Sequence, residues 1–139
     1  MPGIGGRRAA ANPAEDVQMT RPSVLVCDDE PNLRELIRVS LGPGWTVHEA
    51  GDGEEALTLA RSLAPDLVVL DLMMPRLNGL DVLSTLKADP RLTRTRVLVV
   101  TAQPASEVEA REHGADGVIV KPFAPEDLAE LAARLVGVT

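Results

Sequence analysis

The chain has 139 residues, enough for one domain of the usual roughly 100 to 200 residues and too few for a receptor or a multidomain enzyme. Fourteen Lys and Arg against 21 Asp and Glu give a net charge of −7, which leaves no global basic field to grip nucleic acid phosphates, so direct DNA binding is not expected. The 45% hydrophobic share supports a core without staples, and the lone Cys27 cannot form an internal disulfide. No run reaches the roughly 18 consecutive apolar residues of a bilayer span, so a reducing, cytoplasmic setting without membrane insertion is expected.

Residues 1–20 are rich in Gly, Ala, Pro and Arg, show neither hydrophobic period, and are expected to form a disordered tail before a folded domain over 21–139. Gly6-Arg7-Arg8 has the look of a twin-arginine export signal, but Asn12, Pro13, Glu15 and Asp16 interrupt the apolar segment that such a signal needs.

From Ser23 onward, short apolar runs alternate with segments whose apolar residues recur every three or four positions, which predicts five βα repeats. Strands are predicted at Ser23 to Asp28, Thr46 to Ala50, Leu67 to Asp71, Arg96 to Thr101 and Gly117 to Val120. Most are Val- and Leu-rich without polar alternation, as in a parallel sheet covered by helices on both faces. The first helix starts at Pro31, whose missing N–H costs nothing in a first turn, and ends at Gly42-Pro43. Further helices are predicted over Gly53 to Leu63, Leu80 to Ala88, Ser106 to Glu112 and Pro125 to Leu135.

Ligands of such sheets bind beyond the carboxyl ends of the strands, and four of the five predicted strands end in polar residues. These are Asp28-Asp29, Asp71, Thr101 and Lys121-Pro122, each following directly on an apolar run. Three carboxylates, a hydroxyl and an ammonium converging on one edge are too specific for solubility alone, because each follows directly on an apolar strand.

These residues resemble the receiver domains of bacterial two-component response regulators, and the resemblance runs from about Pro22 to Leu135. Its marks are Val24-Leu25-Val26-Cys27 into Asp28-Asp29-Glu30, Val69-Leu70-Asp71-Leu72-Met73-Met74-Pro75 followed by Gly79, Val100-Thr101-Ala102, and Lys121-Pro122-Phe123. The resemblance implies an α/β fold with a doubly wound, five-stranded parallel sheet, flavodoxin-like, in strand order 2-1-3-4-5. It further implies that Asp71 is the phosphoryl acceptor, receiving the group from a phosphohistidine on a sensor histidine kinase or a histidine phosphotransfer protein. Asp28, Asp29, Asp71 and the main-chain carbonyl of Met73 would hold Mg²⁺, with Mn²⁺ able to substitute. Thr101 and Lys121 would contact the phosphoryl oxygens, Met73 and Gln103 would tune dephosphorylation, and Pro122 would follow a cis peptide.

The chain departs from the family at Val118, where an aromatic residue is usual, and in the short interval between Thr101 and Lys121. A β-branched side chain cannot replace a ring that swings inward, so the family's usual coupling from the threonine is not expected here. With nothing after Thr139, the expectation is a stand-alone, non-enzymatic receiver acting through protein contacts or a phosphorelay. A non-switching adaptor is the alternative. An aspartyl-nucleophile phosphatase fits poorly, because Met73 occupies the position where such enzymes carry a second acid. Local readings compete as well: Asp28-Asp29-Glu30 could serve only the dipole of the first helix, and Arg91, Arg94 and Arg96 read best as a solvated loop. His48 and His113 lack companions at ligand spacing, and Cys27 reads as inert core.

Overall fold

The computed structural model describes residues 21–74 and 78–137; the tail expected over residues 1–20 lies outside them. Five strands, β1 (Ser23–Cys27), β2 (Thr46–Ala50), β3 (Leu67–Asp71), β4 (Arg96–Thr101) and β5 (Gly117–Val120), form one parallel sheet in the order β2-β1-β3-β4-β5. Between and after them run α1 (Pro31–Leu41), α2 (Gly53–Leu63), α3 (Gly79–Ala88), α4 (Ser106–Glu112) and α5 (Pro125–Val136), with a 3₁₀ turn at Pro90–Leu92.

Side chains on a strand point alternately to opposite faces, so an unbroken apolar run can be buried only between two helix layers. Val24, Val26, Leu67, Val69, Leu98 and Val100 meet Ile37 and Leu41 of α1 and Leu128 and Ala132 of α5 on one face. On the other, Leu25, Cys27, Val68, Leu70, Val97 and Val99 meet Ala56 and Ala60 of α2, Val82, Leu83 and Leu86 of α3, and Ala110 of α4. Each fully buried Leu, Val or Ile contributes about 1.5–3 kcal/mol relative to exposure, so the sheet interior dominates stability.

Local signals set the helix ends. Asp52 accepts the Glu55 N–H at 2.9 Å, and the Glu55 carboxylate returns to accept from Gly51 N–H at 2.7 Å. Gly42, at φ 87°, ends α1 where an L side chain would be strained. Three predicted boundaries move by one residue. β1 closes at Cys27 rather than Asp28, because the Asp28 carboxylate turns the chain by accepting the Glu30 N–H at 2.9 Å. α3 begins at Gly79 rather than Leu80, capped by Asn78, whose Oδ1 accepts the Leu80 N–H at 2.8 Å. α5 runs past Leu135 to Val136 and stops at Gly137, where φ is 79°.

The strand order reverses between β1 and β3, so the loops after these two strands diverge to opposite sides of the sheet and leave a crevice at their carboxyl ends. Asp28-Asp29 and Asp71 stand there.

Candidate functional site

Asp71 is the last residue of β3 and is only 4% exposed. Its Oδ1 accepts the main-chain N–H of Met73 at 2.9 Å, a turn that fixes the carboxylate relative to its own loop. Its Oδ2 lies 3.4 Å from Lys121 Nζ, which arrives from the end of β5 across the width of β4. Lys121 is followed by a cis peptide to Pro122, as expected, and its N–H donates to the Thr101 carbonyl at 2.7 Å. The lysine is thereby tied to the neighbouring strand end.

Asp28 is fully buried, Asp29 is exposed, and each offers a carboxylate oxygen that lies, with one of Asp71, within a mutual 4.8 Å. Among the described residues these three acids are the group close enough together to hold a metal ion, and His48 and His113 take no part in it. Burial pushes the Asp28 carboxyl well above the ordinary carboxylate range, and the neighbouring Asp71 carboxylate adds to the push. The Glu30 N–H and the Lys121 ammonium pull in the opposite direction. Asp28 Oδ2 is buried without a hydrogen-bond partner, a costly state for a carboxylate oxygen. An all-oxygen donor set with a buried, unsatisfied oxygen fits a hard divalent cation such as Mg²⁺, which favours carboxylate and carbonyl ligands and retains waters.

Thr101 closes β4 with its side chain buried, next to Val100, which pairs with Asp71 in the sheet. Its hydroxyl accepts the Gln103 N–H at 3.1 Å, so that it shapes the loop into α4. Met73 is 65% exposed beside Asp71. Val118 is partly buried and packs against the core face shared by α2, α3 and α4. Gln103 is exposed. Cys27 is buried, and burial pushes its thiol up and keeps it protonated, consistent with inert core. Arg91 and Arg96 are engaged with Asp89 and Asp116, at 3.0 and 3.6 Å.

Sequence reading misses two contributors. Gly79 abuts the backbone of Leu72, which follows Asp71, and Arg34 of α1 donates from Nη1 to the Asp28 carbonyl at 2.6 Å. The sequence displays the glycine eight residues after Asp71 but not its packing role, and nothing local marks Arg34.

A doubly wound sheet in this order, with acids gathered at its switch point and a lysine reaching them from the last strand, defines an α/β signalling module. The chain belongs to the response regulator receiver domain family, whose family model matches residues 24–133. Phosphorelay signalling in two-component systems and Mg²⁺ dependence are general features of that family. The DNA-binding response regulator MtrA of Mycolicibacterium smegmatis is 43% identical over 119 residues, covering 83% of this chain and 51% of that protein. The DNA-binding dual master transcriptional regulator RpaA of Synechocystis is 37% identical over 117 residues, covering 82% and 47%. Among solved structures, the chemotaxis response regulator CheY4 of Vibrio cholerae superposes with a TM-score of 0.77 at 30% identity, covering 84% of this chain and 99% of that one.

The chain thus spans about half the length of the curated relatives it matches. These relatives overturn the expectation of signalling without DNA contact, since MtrA and RpaA are named as DNA-binding regulators. A net charge of −7 describes the receiver sequence alone and carries no information about the further parts that relatives such as MtrA and RpaA possess. Among the described residues no helix is long and apolar enough to cross a membrane.

Proposed function

We propose that this receiver takes a phosphoryl group from a phosphohistidine donor onto Asp71. The observation that carries the reading is the surrounding of one nearly buried strand-end carboxylate: Lys121 Nζ at 3.4 Å, and the Asp28 and Asp29 oxygens within 4.8 Å. An Asp71 oxygen would attack phosphorus as the P–N bond to the donor imidazole breaks, leaving an aspartyl phosphate and a histidine that takes up a proton. The Met73 N–H holds the carboxylate in a single orientation for that attack. Lys121 would release its contact with Asp71 and pair with a phosphoryl oxygen, and the Thr101 hydroxyl would donate to another. When bound, Mg²⁺ or Mn²⁺ would be held by Asp28, Asp29, Asp71 and the Met73 carbonyl and supplies charge neutralisation for the carboxylates and the phosphoryl oxygens. Met73 and Gln103, flanking the acceptor and the threonine, would set how readily water reaches the acyl phosphate. In this role the chain is a signalling unit rather than an enzyme.

Acetyl phosphate with Mg²⁺, followed by Phos-tag electrophoresis and intact-mass analysis, tests the assignment. One hydroxylamine-sensitive adduct, lost in Asp71→Asn, is expected. Stoichiometric labelling that persists in that variant would sink it. A second reading, a receiver that accepts phosphate without changing shape, draws its support from Val118.

A further inference from the structure

Arg34 lies outside the carboxylate cluster yet holds the backbone from which the cluster hangs. Its Nη1 donates to the Asp28 main-chain carbonyl at 2.6 Å, and its Nε donates to Glu49 Oε1 at 2.8 Å. The Arg34 side chain is 18% exposed, so its charge-assisted bond to the Asp28 carbonyl is partly shielded from water, while the bond to Glu49, 40% exposed, lies at the surface. Glu49 belongs to β2, an edge strand, and pairs in register with Val26 of β1. One planar guanidinium therefore joins α1, the end of β1 and β2.

Asp28 is the residue that most needs such a tie. It is the first residue past β1, where the ladder to β3 has ended, and its N–H is held by the Ala50 carbonyl at 3.1 Å. Its side chain offers Oδ1 to the Glu30 N–H and leaves Oδ2 buried and unpartnered. Where that oxygen points depends on the backbone rotation of Asp28, and the Arg34 bond to the carbonyl restrains this rotation. Charge points the same way: an unpaired guanidinium this close would compete with a cation for the acids, and Glu49 neutralises it.

We infer that Arg34 is a positioning residue for the cation site: with Glu49 as its anchor, it pre-sets the Asp28 peptide so that Asp28 and Asp29 meet a divalent ion without rearrangement. The inference rests on the metal-assisted acceptor reading above.

Titration calorimetry with Mg²⁺ alone on the full chain separates the two. Arg34→Ala should weaken Mg²⁺ binding roughly tenfold, the lower range for losing a partner that orients a ligand. Arg34→Lys, which keeps the charge but cannot span both acceptors, should weaken it comparably, and Glu49→Gln less. In the metal-free protein, Arg34→Ala should shift the Glu30 amide resonance and speed its hydrogen exchange, because that N–H donates to Asp28 Oδ1. If Asp29→Ala binds Mg²⁺ as wild type does, the acceptor reading itself fails. If Asp29→Ala loses binding while the Arg34 and Glu49 variants match wild type, or if Arg34→Lys restores full affinity, the positioning role is overturned. Should Arg34→Ala not fold, Arg34→Lys and Glu49→Gln decide the matter.

Discussion

Gly79 presses against Leu72: a Cβ built on Gly79 would stand 2.5 Å from the Leu72 Cα and 2.6 Å from its carbonyl oxygen, distances that no real Cβ tolerates. Leu72 succeeds Asp71 in the chain, so the first residue of α3 packs directly under the residue that follows Asp71. In a helix interior Gly→Ala is favourable by about 1 kcal/mol, a gain that Gly79, the first residue of α3, does not fully offer. Here the obstacle is backbone, which cannot rotate away, and overpacking of that kind costs about 1–3 kcal/mol. We expect Gly79→Ala to lower the urea midpoint and to slow labelling of Asp71 by acetyl phosphate. Wild-type values for both would show that the contact is easily relieved.

Divalent ion should stabilise the fold through the carboxylates. A ligand that binds only the native state adds about 2.7 kcal/mol at a hundred times its dissociation constant. Thermal unfolding with and without saturating Mg²⁺ should show this gain in wild type and lose it in Asp28→Ala/Asp29→Ala; an equal rise in both would place the ion elsewhere. Trp45 is a poor reporter for this, since it precedes the amino end of β2, whereas the acids stand at the carboxyl ends of β1 and β3.

The elements that can be read from sequence are those whose physics is local. Val68-Val69-Leu70 reads as a strand covered on both faces because no polar residue interrupts it, and Asp71 stands out because it ends that run. Pro31 announces a helix start by chemistry that acts within one turn. Arg34 gives no such signal, for its partners are a main-chain carbonyl and a carboxylate 15 residues away on β2. Asp116 is equally silent. It accepts the Val97 N–H at 2.8 Å and pairs with Lys87 at 2.8 Å, a junction of α3, β4 and the entry to β5 that only the folded chain brings together.

Asp89 gives the fold an acid-sensitive element away from the acceptor. Its carboxylate accepts the Arg91 N–H at 2.9 Å, takes a two-point contact from the Arg91 guanidinium, and meets Arg61 of α2 at 3.4 Å. These bonds, Arg91 foremost, hold its carboxyl down at about 2. An unfolded aspartate titrates near pH ~3.9, so the unfolded chain binds the proton first and the contribution of Asp89 fades as pH falls from about 4 through 2. Asp89→Asn should therefore be less stable than wild type at pH 5 to 7 in urea titrations, and the gap should narrow towards pH ~2. A gap independent of pH would assign the loss to packing.

Phosphorylation of Asp71 should be felt first at Thr101. Its Oγ1 accepts the Gln103 N–H at 3.1 Å, so drawing the hydroxyl towards a phosphoryl oxygen must loosen the start of the loop into α4. In place of a swinging ring, Val118 packs on the core face that includes Ala110 of α4. A β-branched side chain has too few rotamers and too little volume to follow Thr101 inward. Any response must then lie in the backbone from residue 102 to α4, and its population can shift only by the difference in contacts that the phosphoryl group makes in two states. With beryllofluoride, whose fluorides stand in for phosphoryl oxygens, amide shifts should concentrate in 101–112, and Thr101→Ala should remove them. Val118→Tyr should change exchange broadening in α4, as measured by relaxation dispersion, while leaving the rate of Asp71 labelling within about twofold, because the added ring meets the core and not the acceptor. If neither Thr101→Ala nor Val118→Tyr alters exchange in α4, the Thr101-linked response is wrong and the non-switching receiver gains.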